Sequence, residues 1–367
     1  MHKRSSFLHS TDWISAALTV SLSLVGLLFI YSATYTQHTP YSLFFIKQAV
    51  GVGIGLMIYW LVSIINYRHI MRYGYFAYFV TIGLLLFTLI RGTVGMGAQR
   101  WIHLFFFRVQ PSELAKLFFP AFTTYYLYNK EDSFVFSFND FIPLLLALGI
   151  SFLLILKQPD LGTALIVLFS GYALFWLAGI SRRFFLVSAC LVTLGAPVGW
   201  YVLKPYQKRR IMVFLGYGTS HKERYHIEQS HIAIGSGGLW GKGFLAGTQN
   251  RLSFLPESRT DFIFSVICEE LGFFGALAIL ALYILLLLRT LYITQQLSNP
   301  FMQLFIFGLL MPIALSALIN IGMVIGLLPI VGTPLPLISY GVSNLWATLI
   351  ALGTIQSMAR HRNYLLG

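Results

Sequence analysis

Hydrophobic residues run along this chain in blocks of about twenty, and short polar or glycine-rich turns separate the blocks. An uncharged block of this length is long enough to cross about 30 Å of hydrocarbon as a helix. A helix also satisfies its own backbone hydrogen bonds, which the bilayer interior cannot do. The pattern predicts ten spans, at about 13–33, 44–65, 71–90, 112–128, 141–157, 161–179, 184–203, 262–289, 301–327 and 338–358.

The predicted fold is therefore an all-α integral membrane protein, with residues 1–367 as a single membrane domain. The longest stretch between spans, about 204–261, joins the seventh span to the eighth and is rich in glycine. It also carries hydrophobic residues such as Trp240 and Phe244. We expect these residues to form short amphipathic elements that dock on the membrane surface.

Lysine and arginine in the short loops predict the orientation of the chain, because these residues concentrate on the cytoplasmic side. Ten lie on the side of the N-terminus, namely Lys3, Arg4, Arg68, Arg72, Lys130, Arg182, Arg183, Arg289, Arg360 and Arg362. Four lie on the other side, namely Arg91, Arg100, Arg108 and Lys157. The bias predicts that both termini are cytoplasmic and that 204–261 is an extracytoplasmic loop.

Composition agrees with a membrane location and narrows the choice of partners. Hydrophobic residues make up 57% of the chain and charged residues 10%, against about 25% charged in an average soluble domain. The formal net charge is +13, but the basic residues are scattered over the loops between spans. This distribution favours anionic lipid headgroups or an anionic lipid-linked substrate over nucleic acid.

The densest group of candidate residues lies in the segment 255–262, where the long loop meets the eighth span. Asp261 sits at the membrane boundary, one residue before an apolar run. It could cap the following helix through its side chain, or it could act as a carboxylate general base. Glu257 and Arg259, in the same segment, could simply pair with each other.

A second group combines Arg100 and Trp101 with the segment 110–116. Glu113 and Lys116 are three residues apart on a predicted helix and therefore form a natural ion pair. The pair could be a structural element of the bundle or the wall of a charged cavity. A membrane interior rarely contains two such groups without a polar cavity, which favours the second interpretation.

Three further segments carry polar or conformationally special residues. Asp160, in 157–163, could cap the sixth span. Prolines and a glycine in 334–341 predict a broken or re-entrant helix, which a membrane tolerates only where it lines protein or water. The glycine-rich segment 235–243 resembles a phosphate-binding loop but has no serine or threonine after Lys242. Its backbone amides could still bind phosphate oxygens.

Eight motifs, taken together, resemble the SEDS family (shape, elongation, division and sporulation), and those at 157–160 and 247–249 resemble its RodA, or elongation, branch. They occur in the family's order along nearly the whole chain, at 98–101, 110–116, 157–163, 235–243, 247–249, 255–264, 269–272 and 334–341. One departure follows Gly341. Family members usually continue with glycine and serines, whereas this chain has Val342, Ser343 and Asn344, so its backbone there is expected to bend differently.

The resemblance implies a ten-span peptidoglycan glycosyltransferase of the cytoplasmic (inner) membrane. Such an enzyme polymerises lipid II, a disaccharide-peptide on undecaprenyl pyrophosphate, during cell elongation. The resemblance also implies a class B penicillin-binding protein and the cell-elongation complex as partners. It assigns catalytic roles to Asp261, Glu113 and Lys116. Substrate binding is expected at Arg100, Trp101, Asp160, Glu257, Arg259, Arg210, Lys242 and Ser339.

The residues leave some alternatives open within this assignment. Asp261 could be the general base or could bind a divalent cation, Mg²⁺ or Mn²⁺, that stabilises the leaving pyrophosphate. No residue set is predicted as a dedicated metal site. A lipid II flippase or a non-catalytic scaffold for a penicillin-binding protein would also explain charged residues within spans. The candidate residues map toward the outer face, which favours the enzyme.

Overall fold

A computed structural model describes residues 11–95, 98–104, 107–130, 135–217, 221–252, 254–255 and 257–361. Its helices are α1 Trp13–Thr34, α2 Leu43–Ile64, α3 Tyr67–Arg91, α4 Pro111–Lys130, α5 Phe138–Lys157, α6 Leu161–Leu177, α7 Arg182–Val202, α8 Pro205–Phe214, α9 His221–Gly237, α10 Thr248–Arg251, α11 Ile263–Gln295, α12 Pro300–Val324 and α13 Val342–His361. Its strands are β1 Thr93–Gly95, β2 Ala98–Leu104 and β3 Phe107–Val109.

The ten predicted spans coincide within a few residues with ten of these helices, α1–α7 and α11–α13. Six of them, α1, α2, α3, α5, α11 and α12, are long and apolar enough to cross a membrane by length and composition. The largest error is the end of the eighth span, predicted near 289, because α11 continues to Gln295. Smaller errors lie beside the proline-rich segment. There α12 ends at Val324, and α13 begins only at Val342. The chain between them is not helical, as the prolines predicted, and Leu335, Leu337 and Ile338 are buried in it.

A small antiparallel sheet corrects the prediction of an entirely helical fold. Strand β2 pairs with β1 on one side and β3 on the other, with Val94 opposite Gln99 and His103 opposite Arg108. The strands have three, seven and three residues. Strands this short give almost no periodic signal beside helical blocks of about twenty residues. The sheet connects α3 to α4 and carries Arg100 and Trp101.

The segment 204–261 is largely helical, and part of it docks on protein rather than on the membrane surface. Helix α9 packs against α11 and the end of α12. Ser230 shares a 2.8 Å hydrogen bond with Ser265 and donates another, of 2.9 Å, to the carbonyl of Val324. Ala233 of α9 is fully buried. The serine contacts fix α9 over the point where the chain enters α11.

Close helix packing holds the bundle together through small residues. A Cβ atom on Gly51 would lie 3.0 Å from Val342, and one on Gly55 would lie 2.5 Å from Leu349. Helix α2 can therefore approach α13 closely only because it has glycine at these two positions. The contact fixes the start of α13, the helix that follows the broken segment.

Candidate active site

Asp261 lies in the turn between α10 and α11 and is partly exposed. Helix α11 begins at Ile263 with Phe262 as its N-cap and without a side-chain cap, so the alternative role of Asp261 as a helix cap is not borne out. A Cβ atom on Gly332 would lie 3.5 Å from Asp261 Oδ2 and 4.0 Å from Arg210 Nη1. Asp261 and Arg210 of α8 therefore converge over a glycine whose φ is +78°, a conformation that side chains rarely adopt.

The main chain around Asp261 is fixed by residues far away in the sequence. Asn320 Nδ2 of α12 donates to the carbonyl oxygens of Asp261, at 2.9 Å, and Thr333, at 2.8 Å. Ser339 Oγ accepts from the Leu335 amide at 2.8 Å and donates to the Thr260 carbonyl at 2.6 Å. Ser339, predicted to bind substrate, is 5% exposed and ties the broken segment to the Asp261 turn.

Burial raises the pKa of Asp261 from its usual value near 3.8 to about 6, because an ionised carboxylate loses hydration in this turn. The neighbouring Glu257 carboxylate raises the pKa further. Arg100 and Arg210 lower it, and Asp160 raises it slightly. A carboxylate with a pKa near 6 is mostly ionised at pH 7 yet basic enough to accept a proton during a reaction.

Arg100 and Asp160 form an ion pair of 3.2 Å at the edge of the same site. Asp160 Oδ2 also accepts a 2.7 Å hydrogen bond from Gln110, and Oδ1 accepts the amide of Thr163 at 3.2 Å. The predicted capping of the sixth span by Asp160 is thus confirmed. Because Asp160 is buried and fully engaged, its contacts fit a residue that positions Arg100 better than one that binds substrate.

Arg100 and Trp101 are consecutive in β2, and consecutive side chains of a strand point to opposite faces. Arg100 faces Asp160. Trp101 therefore belongs to the other face of the sheet, and its carbonyl accepts a 3.0 Å hydrogen bond from Thr93. Arg100 and Trp101, which the sequence analysis placed in one group, thus lie on opposite faces of the sheet.

Glu257 and Arg259, which could have paired with each other, have separate partners. Glu257 accepts a 3.0 Å hydrogen bond from the Thr260 hydroxyl and has a φ of +53°, which is strained for a residue other than glycine. The Arg259 guanidinium lies 3.8 Å from the ring centre of Phe44 in α2. Such a stack holds the cation in place without neutralising it.

Glu113 and Lys116 form the predicted ion pair, at 2.7 Å, and both are buried. Asn344 Nδ2 donates a 2.9 Å hydrogen bond to Glu113 Oε2, and Ser343 Oγ accepts the amide of Gln110 at 3.1 Å. Two of the residues that depart from the family pattern therefore contact α4 or the residue that precedes it. A cavity of about 20 Å³ beside the pair has room for about one water.

Lys242, predicted to bind substrate, lies in a cluster of polar groups around Glu269 of α11. Its Nζ is 2.7 Å from Glu269 Oε1, an oxygen that also accepts the amides of Thr248 and Gln249 at 2.7 and 3.1 Å. The amides of Lys242 and Gly243 donate to the carbonyls of Glu269 and Glu270. Lys242 and its glycine-rich loop are thus engaged with α11, and the prediction that these amides bind phosphate has no support in the structure.

Asn320 is the main residue that sequence reasoning missed. It is fully buried in α12, a helix of 25 residues with high mean hydropathy. An amide buried deep in such a helix is costly and therefore signals a specific partner. Asn320 Oδ1 and Thr333 Oγ1 are buried without a hydrogen-bond partner in the described part of the chain. Both atoms belong to residues that fix the Asp261 turn.

The profile of the FtsW, RodA and SpoVE cell cycle proteins matches residues 12–364. The chain belongs to the FtsW/RodA/SpoVE family. This FtsW/RodA/SpoVE protein is 39% identical over 360 residues to the peptidoglycan glycosyltransferase MrdB of Escherichia coli strain K12, with 97% of each chain covered. The family predicted from the eight motifs is thus confirmed.

Solved structures support the fold of this FtsW/RodA/SpoVE protein. One chain of a structure on the coordination of polymerization and crosslinking by a peptidoglycan synthase complex has a TM-score of 0.80 and 29% identity, covering 96% of this chain and 98% of that chain. Rod shape determining protein RodA of Thermus thermophilus has a TM-score of 0.71 and 28% identity, covering 96% and 97%. RodA-type proteins are therefore among its structural neighbours.

Proposed function

We propose that this chain is a peptidoglycan glycosyltransferase that polymerises lipid II into glycan strands at the outer face of the cytoplasmic membrane during cell elongation. The name of its Escherichia coli relative supports the activity. The observation that carries the proposal is the approach of Asp261 and Arg210 to Gly332, because it puts a base and a cation within 4.0 Å of the same point. Lipid II supplies a hydroxyl that must lose a proton and a pyrophosphate that leaves with negative charge.

In the proposed reaction, the 4-hydroxyl oxygen of the acceptor N-acetylglucosamine attacks the anomeric carbon of the donor. The bond from that carbon to the pyrophosphate oxygen breaks, and undecaprenyl pyrophosphate leaves with the electron pair. Asp261 accepts the hydroxyl proton, a role that commonly contributes about 10² to 10⁴ in rate. Arg210 and Arg100 stabilise the developing charge on the pyrophosphate, and the stacked Arg259 adds a third cation nearby.

A divalent cation fits this site only if protein carboxylates and substrate phosphates bind it together. No three histidine, cysteine, aspartate or glutamate side chains lie close enough to hold a metal among the described residues. Mg²⁺ usually binds one or two carboxylates together with substrate phosphates. Asp261 and Glu257 are the carboxylates that would hold Mg²⁺ or Mn²⁺, which would neutralise charge on the pyrophosphate.

The proposed topology has ten spans, α1–α7 and α11–α13, with both termini in the cytoplasm. The lysine and arginine bias of the short loops supports this orientation. It puts residues 204–261 and the sheet at the outer face. Asp261 then lies at the level where the disaccharide headgroups of lipid II are exposed to water.

A class B penicillin-binding protein, within the cell-elongation complex, is the proposed protein partner. A structural neighbour comes from a peptidoglycan synthase complex that coordinates polymerization with crosslinking. A polymerase of this kind needs a crosslinking enzyme close to the emerging glycan strand. We therefore expect the two proteins to form a complex.

The test is polymerisation of lipid II by the purified protein with its penicillin-binding partner, comparing wild type with Asp261→Asn. The substitution keeps the shape of the side chain but removes the base, so strand formation should fall by about 10² or more. Glu228→Gln, in an exposed ion pair with Arg224, serves as a control that should retain activity.

The alternative activities give different results in the same assay. A scaffold would show equal activity of the complex with and without Asp261. A flippase would give no strands with either protein, but would move lipid II across vesicle membranes. Either result would overturn the polymerase assignment.

A further inference from the structure

A cavity of about 200 Å³ lies at the end of the bundle opposite Asp261, between the start of α3, the end of α4 and the start of α12. Met302 of α12 lines it, whereas Asn320 of the same helix contacts Asp261. Those two residues are 18 positions apart, or about 27 Å along a helix. This separation is close to the hydrocarbon thickness of a bilayer, so the cavity belongs to the opposite membrane face.

The rim of this cavity is cationic. Arg68 and Arg72 of α3 both line it, four residues apart and hence on the same face of the helix. Arg68 Nε donates a 3.2 Å hydrogen bond to the Tyr67 hydroxyl, and neither arginine pairs with a carboxylate in the described part of the chain. Two like charges at this spacing repel each other, and an anion between them would remove the cost.

Backbone dipoles add to the positive potential. Helices α3 and α12 both begin at the cavity, and their N-caps Asn66 and Asn299 accept amides of the first turn. The N-terminal end of a helix carries about half a positive charge. The two helix ends therefore reinforce the field of the two arginines.

The interior of the cavity is aromatic and apolar, in contrast to its rim. Phe305, Met302, Phe301 and Met71 line it and are buried. The volume is about ten times that of the small cavity beside Glu113, which has room for about one water. A cationic rim over an apolar interior matches an amphiphile with an anionic head and a hydrocarbon body.

We propose that this cavity, lined by Arg68, Arg72 and the aromatic residues beneath them, binds a phosphate group, and that the headgroup of an anionic lipid supplies it. The guanidinium groups bind the phosphate oxygens. The first part of the acyl region packs on Phe301 and Phe305. The site is separate from the Asp261 site and does not depend on the polymerisation activity.

The test measures lipid binding to the purified full chain by native mass spectrometry. The probes are dioleoylphosphatidylglycerol, dioleoylphosphatidylcholine and glycerol 3-phosphate. Wild type should bind phosphatidylglycerol in preference to phosphatidylcholine, and R68Q/R72Q should weaken that binding about tenfold or more. R182Q/R183Q removes the same charge at the start of α7, away from the cavity, and should bind within about twofold of wild type.

Two further measurements keep the proposal open to refutation. R68K/R72K retains the charge and should recover part of the binding, which shows that the positive charge at these two positions contributes to it. R68Q/R72Q should keep the Tm of wild type, which excludes unfolding as the cause of its loss. Glycerol 3-phosphate that competes as well as the lipid would support a phosphate site but overturn the lipid as its source. An equal loss of phosphatidylglycerol binding in R68Q/R72Q and R182Q/R183Q, or no loss in either, would overturn the proposed site.

Discussion

The side-chain amide of Asn320 donates a 2.9 Å hydrogen bond to the main-chain carbonyl of Asp261. The same amide holds Thr333, the residue after Gly332, at 2.8 Å. One side chain of α12 thus fixes both the candidate base and the glycine against which its carboxylate lies. The relationship assigns Asn320 a positioning role.

Asn320→Asp is expected to lower kcat for polymerisation, because the ionised side chain cannot donate either hydrogen bond. Displacement of a catalytic group by about 1 Å can cost about 10² in rate. The new carboxylate should also raise the pKa of Asp261, so the acidic limb of the pH profile should move to higher pH. Asn129→Ala removes an exposed asparagine hydrogen bond and should change neither quantity. An unchanged kcat in Asn320→Asp would contradict the positioning role.

Polymerisation should depend on pH through the ionisation of Asp261. Its pKa is about 6 in the folded protein, so kcat/KM should be near its plateau above pH 7 and about tenfold lower at pH 5. Arg210→Gln removes a cation that lowers this pKa and should move the acidic limb of the pH profile to higher pH. Glu257→Gln removes an anion that raises it and should move the limb to lower pH.

The control for these shifts is Arg224→Gln, which removes a cation from an exposed ion pair of α9. Arg224 is not among the charged groups that act most strongly on Asp261. The acidic limb of the pH profile of Arg224→Gln should coincide with that of wild type. Shifts of the same sign in Arg210→Gln and Glu257→Gln would exclude Asp261 as the titrating group.

Removal of only one charge of the Glu113–Lys116 pair should strongly destabilise the protein. Glu113→Gln or Lys116→Met alone leaves one buried charge without its partner, which typically costs about 3–5 kcal/mol. The double variant removes both charges and should recover most of the thermal stability. We expect it to remain inactive in polymerisation, as the catalytic assignment implies. Recovery of both stability and activity would show that the pair is structural only.

Lys242→Met should act on stability rather than on substrate binding. Glu269 is fully buried, and Lys242 is its cationic partner, so the variant should unfold at a lower temperature. KM for lipid II should stay within about twofold of wild type, since the lysine is engaged with α11. Lys47→Met, at an exposed position of α2, should leave both the Tm and KM unchanged. A large rise in KM for Lys242→Met would restore its assignment as a substrate ligand.

The sequence by itself determined the ten helices that match the predicted spans, because the physical cause of each of them is local. A block of about twenty apolar residues must satisfy its own backbone hydrogen bonds, whatever it packs against. The Glu113–Lys116 pair and the Asp160 cap were also predictable, since both depend on spacings of three residues within one helix or its first turn. The family was also recognisable from the sequence, because its eight motifs resemble those of family members.

Only the tertiary structure decided which distant residues meet. Asp261, Arg210, Gly332 and Asn320 come from four separate segments, and no spacing rule relates them. The same reason explains why the contacts of Ser339 and Lys242 were not predicted. Their residue types suit substrate binding, but the fold engages them with the Thr260 carbonyl and with Glu269. A polar group buried by packing must find a partner inside the protein, and the packing, rather than the local sequence, determines that partner.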